Sequence, residues 1–396
     1  MQDKIIQLRS GRLGKLKAGH PWIYKAHLRK VSTSVAPGDI VLVMNADSKF
    51  LGRGYYNPKS AISVRILTFK DEPIDQEFFH NKIREAFARR KLLSTKTNAY
   101  RVIFSEADGL PGLIADRYAD TIVFHILTLG MEGLKNFIVK SIKEVLSPKY
   151  IYEKSQSPFR KIEGLKDLKR WWGEKGETPI EIFEGKTKFL VDVENGHKTG
   201  FYLDQRRSRM AMEGISKGKT VLDLFCYTGG FSISAAVFGA KRILGIDIKE
   251  KWLGQAHKNA ALNNVSDKVE FIREDAFTTL KNICDKGERF DIIVIDPPSF
   301  LKSKHSIKSA SKGYAELNLM AMKTLKEGGI LATFSCSHNM PNELFSKILK
   351  DASLEAKKNI QILKRCHQAE DHPIVRTLPE TEYLKGYFLR VKTLTS

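Results

Sequence analysis

Cysteine is scarce in this 396-residue chain: Cys226, Cys284, Cys336 and Cys366 are the only four, with no Cys-x-x-Cys and no Cys/His spacing typical of zinc. That excludes a disulfide framework and a structural metal, and fits a reducing cytoplasm. Long apolar runs are also missing. No stretch reaches the roughly 18 uninterrupted apolar residues of a membrane span, and Met1-Gln2-Asp3-Lys4 lacks the apolar run of a signal peptide. Acidic residues are few, with 45 Asp+Glu against 66 Lys+Arg, a formal net charge of +21. A field of that sign attracts polyanions, of which phosphate backbones are the usual ones. Residues 1–70 hold 13 Lys/Arg and only 3 Asp/Glu, so the excess is concentrated in a local basic block, as a nucleic-acid surface requires.

The chain exceeds the size at which a single core usually keeps growing, and three regions separate. Residues 1–70 read as short strands, Asp39–Met44 and Ser60–Leu67 among them, bounded by Pro37-Gly38, Gly52, Gly54 and Asn57-Pro58. This is the pattern of a small β-barrel. Residues 71–188 read as a central α+β domain, with helices over Phe78–Leu93 and Met131–Leu146 and strands around Tyr100–Ser105 and Thr121–Leu127. Polar, basic Ser155–Glu177, with Trp171-Trp172, reads as irregular cover. From 189 to 396 strands and helices alternate, with strands expected at Thr220–Phe225, Arg242–Ile246, Val269–Ile272, Phe290–Ile295 and Gly329–Phe334. Such alternation implies βαβ units in a doubly wound, mostly parallel, Rossmann-like sheet, an α/β fold.

A dinucleotide fingerprint, Gly-x-Gly-x-x-Gly, is absent from the first βα turn of that sheet. In its place stands Val221-Leu-Asp-Leu-Phe-Cys-Tyr-Thr-Gly-Gly-Phe231. The run ends a buried strand in Asp223 and then turns through Phe225, Tyr227, Thr228, Gly229 and Gly230, where the two glycines admit close backbone approach. A carboxylate here is poorly placed for a pyrophosphate but suits the cationic amino-acid end of S-adenosylmethionine. Asp247 ends the second strand, placed for ribose hydroxyls; Asp275, followed by Ala276, ends the third, placed for an adenine amino group; Asp296 ends the fourth. Four successive strand-end acids converge on the carboxyl edge where such sheets bind ligands.

The ordered series resembles the motifs of class I methyltransferases. Thr199-Gly-Phe-Tyr-Leu-Asp-Gln-Arg206 resembles an additional cofactor-contacting motif of an RNA-methylating subgroup, which implies Tyr202, Asp204 and Arg206 as cofactor-binding residues. The full set is similar to the bacterial large-subunit (23S) ribosomal RNA cytosine-5 methyltransferase family, over nearly the whole chain. Gly19-His-Pro-Trp-Ile23 and Phe50-Leu-Gly-Arg-Gly-Tyr-Tyr-Asn-Pro58 resemble its N-terminal PUA module, an RNA-binding fold. Asp108–Leu113 resembles its central domain, and Gln368–Pro373 and Tyr383–Gly386 its C-terminal signatures. The resemblance implies S-adenosyl-L-methionine as cofactor, ribosomal RNA as partner and a cytoplasmic enzyme; it is compatible with a homodimer and implies no membrane or metal.

Asp296-Pro-Pro-Ser-Phe300 resembles the Asp-Pro-Pro-aromatic motif of amino-group methylases, with Ser299 in the aromatic's place and Phe300 one residue late. Phe300 is a candidate to stack on a flipped base, or an ordinary strand-end core aromatic. Thr333-Phe-Ser-Cys336-Ser337 ends the fifth strand. A pyrimidine C5 is a poor nucleophile until a thiolate adds at C6, and Cys336 is the cysteine beside the expected methyl donor; in the resembled family Ser-Cys-Ser carries this role. Asp296 would stabilise the adduct at the N3/N4 edge, and Glu370, Asp371 and His372 are candidates for the base that removes the C5 proton. Leu301–Gly313, with Lys302, Lys304, His305, Lys308 and Lys312 and no acid, reads as a basic loop able to clamp phosphate. The competing functions are a guanine N-methyltransferase, which needs no thiol, and a non-catalytic RNA-binding assembly factor.

Overall fold

The computed structural model describes residues 4–11, 13–300 and 307–394. The chain forms two compact units, one of Met1–Ile182, Val191–Leu203 and Glu370–Thr381, the other of Phe183–Leu190, Asp204–Ala369 and Glu382–Ser396. The regions 71–188 and 189–396 expected from sequence differ from these units chiefly at two segments, 191–203 and 370–381, that fold with the first. Hydrogen bonds between residues far apart in sequence hold them there: Thr199 Oγ1 donates to Asp116 and Phe201 N to Tyr118 Oη, and Arg101 N donates to Asp371.

The first unit carries two main sheets. Strands β1 (Ile5–Leu8), β2 (Trp22–Tyr24), β3 (Leu28–Val31), β4 (Ile40–Met44), β5 (Phe50–Tyr56) and β6 (Ile62–Thr68), with the short helix α1 (Gly14–Lys17), form a mixed sheet of order β2-β6-β5-β4-β1-β3. Alternate residues, Ile6 and Leu8, Val41 and Val43, Val64 and Ile66, make its core, the period-2 signature of a half-buried strand. The second sheet, of order β11-β10-β9-β8-β7, comprises β7 (Ala99–Phe104), β8 (Leu113–Tyr118), β9 (Thr121–Ile126), β10 (Tyr150–Ser155) and β11 (Leu168–Trp171). Helices α2 (Gln76–Arg90) and α4 (Lys135–Leu146) pack Phe79, Ile83, Ile138 and Ile142 into its core. Asp75 caps α2 by accepting from Phe78 N.

Two local expectations are corrected here. The helix expected over Met131–Leu146 is split into α3 (Leu129–Gly133) and α4, with Leu134 between them. The cover expected at Ser155–Glu177 contains α5 (Pro158–Ile162) and strand β11, whose Trp171 lies on Tyr152 with ring centroids 4.7 Å apart. Exposed positions among the aromatic ones hid the strand from a reading by periodicity.

A hairpin of β12 (Ile180–Glu184) and β13 (Thr187–Val191), whose residues Phe183–Leu190 belong to the second unit, precedes the large sheet of that unit. There β14 (Thr220–Leu224), β15 (Arg242–Asp247), β16 (Val269–Arg273), β17 (Phe290–Ile295) and β18 (Leu325–Ser335) are parallel, in the order β16-β15-β14-β17-β18. The crossovers contain α7 (Gly230–Val237), α8 (Glu250–Leu262), α9 (Ala276–Asp285) and α10 (Ile307–Thr324); α6 (Arg206–Met210) precedes them and α11 (Asn342–Glu355) follows. Strands β14 and β17 are nearly continuous apolar runs because helices cover both faces. Two antiparallel strands, β19 (Lys358–Cys366) and β20 (Lys385–Thr393), complete a seven-stranded sheet as β18-β20-β19. Sequence reading missed both: β19 is mostly exposed and many of its residues are charged or polar.

Candidate active site

The register sets the strand ends level. Leu224 pairs with both Ile246 and Ile295, Ile295 with Thr333, and Asp247 with Arg273. The residues that follow these strands therefore share one carboxyl edge, and the sheet order reverses there between β14 and β17. A crevice at such a switch point is where open α/β sheets take ligands.

The turn after β14 is held in an uncommon backbone conformation, Phe225 at φ +64° and Tyr227 at φ +52°. Residues with side chains resist this left-handed region, and only surrounding structure keeps them there. Cys226 N donates to Ile246 O at 2.9 Å, Tyr227 N to Asp247 Oδ2 at 3.0 Å, and Asn259 Nδ2 to the Thr228 carbonyl at 2.9 Å. The glycines serve packing here. Gly229 has φ +80°, and a Cβ on it would lie 3.2 Å from Ala256, Ile233 and Phe271; one on Gly230 would meet Arg209 Cδ at 3.1 Å.

Asp223 is fully buried, its Oδ2 accepting from Ser232 N at 2.9 Å and Ser232 Oγ at 2.6 Å. One oxygen thus fastens the start of α7. Burial lifts its carboxyl to about 7, with Asp296 and Asp247 adding to the push and Ser232 opposing it. Asp247 accepts from Tyr227 N and Lys249 N, and Asp275 caps α9 by accepting from Thr278 N. Among the described residues these three acids have no salt-bridge partner.

Asp296 Oδ1 accepts from Gln205 Nε2 at 3.1 Å. The Cys336 thiol lies 4.0 Å from Pro297 O, so β18 delivers its cysteine to the Asp-Pro-Pro turn. The buried Tyr314 hydroxyl of α10 senses both groups: burial raises its pKa, and the Cys336 and Asp296 charges raise it further. On β20, next to the same strand end, Lys385 Nζ donates to Ser337 O at 2.6 Å. Gln205, Tyr314 and Lys385 were not singled out from sequence. Gln205 and Lys385 lay inside quoted motifs, whereas Tyr314 gave no local signal.

The other candidates are distributed as follows. Asp204 is buried and accepts from Tyr383 Oη at 2.6 Å; Arg206 is buried in α6. Tyr202 belongs to the first unit, where its hydroxyl pairs with His197 Nδ1 at 3.0 Å. Phe300 packs among Phe225, Phe277 and Tyr314. Lys302, Lys304 and His305 lie outside the described residues, and Lys308 and Lys312 lie in helix α10 rather than in the expected loop. Asp371 and His372 are buried in the first unit and interact with each other; the Asp371 carboxylate also accepts from Arg101 N, which marks the pair as a structural tie. Cys226 is buried, which pushes its thiol well up and makes it inert. Cys366 ends strand β19.

At this edge Thr228 Oγ1 and Gln205 Oε1 are buried without a hydrogen-bond partner. Buried polar atoms ordinarily find one, so with Asp247 and the strained turn they fit a polar ligand such as S-adenosylmethionine. Among the described residues no group of His, Cys, Asp and Glu could hold a metal ion, and no helix is long and apolar enough to cross a membrane.

Comparison with known proteins gives a consistent result. A PUA-like domain model matches residues 6–69, and an S-adenosylmethionine-dependent methyltransferase model matches residues 166–377. The chain is 41% identical over 393 residues to ribosomal RNA large subunit methyltransferase I of Aeromonas hydrophila, covering 98% of this chain and 99% of that protein. It is 43% identical over 392 residues to the protein of the same name from Shewanella denitrificans, with the same coverage. A candidate S-adenosylmethionine-dependent methyltransferase from Streptococcus mutans superposes with TM-score 0.83 at 23% identity, covering 97% of this chain and 100% of that one, a likeness of fold.

Proposed function

Since the chain belongs to the S-adenosylmethionine-dependent methyltransferase family, and within it to the group of ribosomal RNA large subunit methyltransferase I, we propose that it forms 5-methylcytosine in large-subunit ribosomal RNA with Cys336 as nucleophile. The observation that carries this reading is the thiol of Cys336 lying 4.0 Å from Pro297 O, at the turn that also holds Asp296. Cytosine C5 chemistry needs a sulfur there; amino-group methylation does not.

Asp247 and the Phe225–Gly230 turn would hold the cofactor, with Thr228 Oγ1 and Gln205 Oε1 as further polar contacts. When bound, S-adenosylmethionine supplies a methyl group on a positively charged sulfur. Cys336 thiolate adds to C6 of the target cytosine, and the electron density it releases into the ring makes C5 nucleophilic. Asp296, oriented by Gln205, hydrogen-bonds the N3/N4 edge and stabilises the adduct. Once C5 carries the methyl group its proton leaves, the C6–S bond breaks and the thiolate is restored. A general base takes that proton.

Basic residues 1–70 supply an RNA-binding surface, supported by the PUA-like match. The test is incubation of the protein and its Cys336→Ala variant with methyl-labelled cofactor and unmodified ribosomal RNA, followed by mass spectrometry of the nucleosides. Formation of 5-methylcytosine by the parent protein alone is expected. A methylguanine product, or an active Cys336→Ala variant, overturns the reading.

A further inference from the structure

Lys385 is an unusual residue to find at the end of a sheet. It is 7% exposed, and burying an ammonium is costly without a compensating partner. Among the described residues its three N–H bonds are matched by one carbonyl, that of Ser337, at 2.6 Å. Strand pairing places Lys385 opposite Ser335, so the residue it bonds, Ser337, and the residue it pairs with, Ser335, flank Cys336 on either side. The reaction outlined above gives this amine no task.

We propose that Lys385 is the charge partner of Cys336, a positioning residue whose ammonium holds the thiolate ready for attack on pyrimidine C6. The inference rests on the reading of Cys336 as nucleophile. The S–H bond breaks, its proton passes to water, and the bonding pair stays on sulfur opposite an ammonium that is already charged. When C6–S later breaks, the returning electron pair meets the same cation. Titratable groups on the adjoining elements are Cys336 and His338 at the end of β18, Arg365 and Cys366 at the end of β19, Glu382 and Tyr383 ahead of β20, Asp296 after β17 and Tyr314 of α10. Of these, Cys336 and Glu382 favour the charged lysine, against a burial effect that brings it down to about 8. Coupling of this kind is reciprocal: a thiolate that favours the ammonium is favoured by it to the same degree.

The experiment follows iodoacetamide alkylation of Cys336 against pH in the full-length protein, by peptide mass spectrometry. In the parent protein half-maximal alkylation is expected below the ordinary thiol value of about 8.5. Lys385→Met and Lys385→Gln, the latter able to keep the Ser337 bond, should each move it up by about one pH unit or more. Lys385→Arg, always charged, should stay near the parent. A neutral variant that keeps its circular dichroism and its cofactor binding yet titrates like the parent overturns the proposal. Failure of the nucleophile reading would show separately, as continued 5-methylcytosine formation by Cys336→Ala, because the thiol titration needs no turnover.

Discussion

Carboxylates of the first unit and those at the carboxyl edge of the second unit's sheet are held in different ways. In the first unit four buried carboxylates are paired with cations. Asp108 is held by Arg89 and Arg90, Asp116 by Arg101 at 2.8 Å, Glu153 by Lys135 and Arg170, and Glu163 by Arg65 at 3.0 Å. At the carboxyl edge of the seven-stranded sheet, buried Asp223, half-buried Asp247 and exposed Asp275 are held by backbone N–H groups and hydroxyls. A carboxylate matched by a built-in cation finishes a structure, whereas one left with dipoles alone retains capacity for a ligand that brings its own hydroxyls or positive charge. The contrast sets four ion pairs of the first unit's framework beside the candidate cofactor edge of the second.

It can be broken or sharpened by mutation. The largest effect should come from Cys336→Ala, a loss of about 10³-fold or more in methyl transfer with cofactor binding intact by calorimetry; a smaller loss would demote the thiol to packing. Next, Arg101→Ala strands the fully buried Asp116 and should destabilise the first unit by about 3–5 kcal/mol, read as a fall in melting temperature. Asp247→Ala should do the reverse. It should weaken S-adenosylmethionine binding roughly 10- to 100-fold, the worth of one or two charge-assisted hydrogen bonds, while leaving melting of the cofactor-free protein nearly unchanged. If Asp247→Ala destabilised the protein as much as Arg101→Ala, the division between framework and site would fail. Gly229→Ala, at φ +80° with three neighbours at 3.2 Å, should cost about 1–2 kcal/mol and distort the cofactor turn.

The subtlest effect is on pH dependence. Burial raises the folded pKa of Asp223 to about 7, above the roughly 3.9 of an unfolded chain. Between these values the folded protein binds more protons than the unfolded one, so the contribution is complete at acid pH and is lost as pH rises toward 7. Asp223→Asn can still accept from Ser232 and should flatten that decline. Melting temperatures at pH 5 and pH 8 would then lie closer together than in the parent. An unchanged difference would show that the carboxyl is ionised at both values.

Much of the second unit was legible because parallel βαβ units advertise themselves. Apolar runs such as Ile292–Ile295 and the acids that follow them are local patterns, and the five parallel strands stand where their hydrophobicity predicts. Strand β19 escaped because the exposed face of an edge strand need not be apolar, and β20 pairs antiparallel between it and β18, outside the βαβ alternation. Asp371 and His372 looked like catalytic bases for the converse reason. Carboxylates and imidazoles serve proton transfer and buried networks equally well, and only the bond from Arg101 N, 270 residues away in sequence, tells the two apart.

From the amino-acid order alone came the α/β class, the succession of strand-end acids and the candidacy of Cys336, since each depends on spacing within a few residues of itself. Tertiary structure decided which charges are satisfied and which remain available, and it brought Gln205 to Asp296 and Lys385 to the flank of Cys336. Those pairings depend on distance through space in a low-dielectric interior, where a contact of about 3 Å governs charge and proton affinity, and chain position carries no record of it.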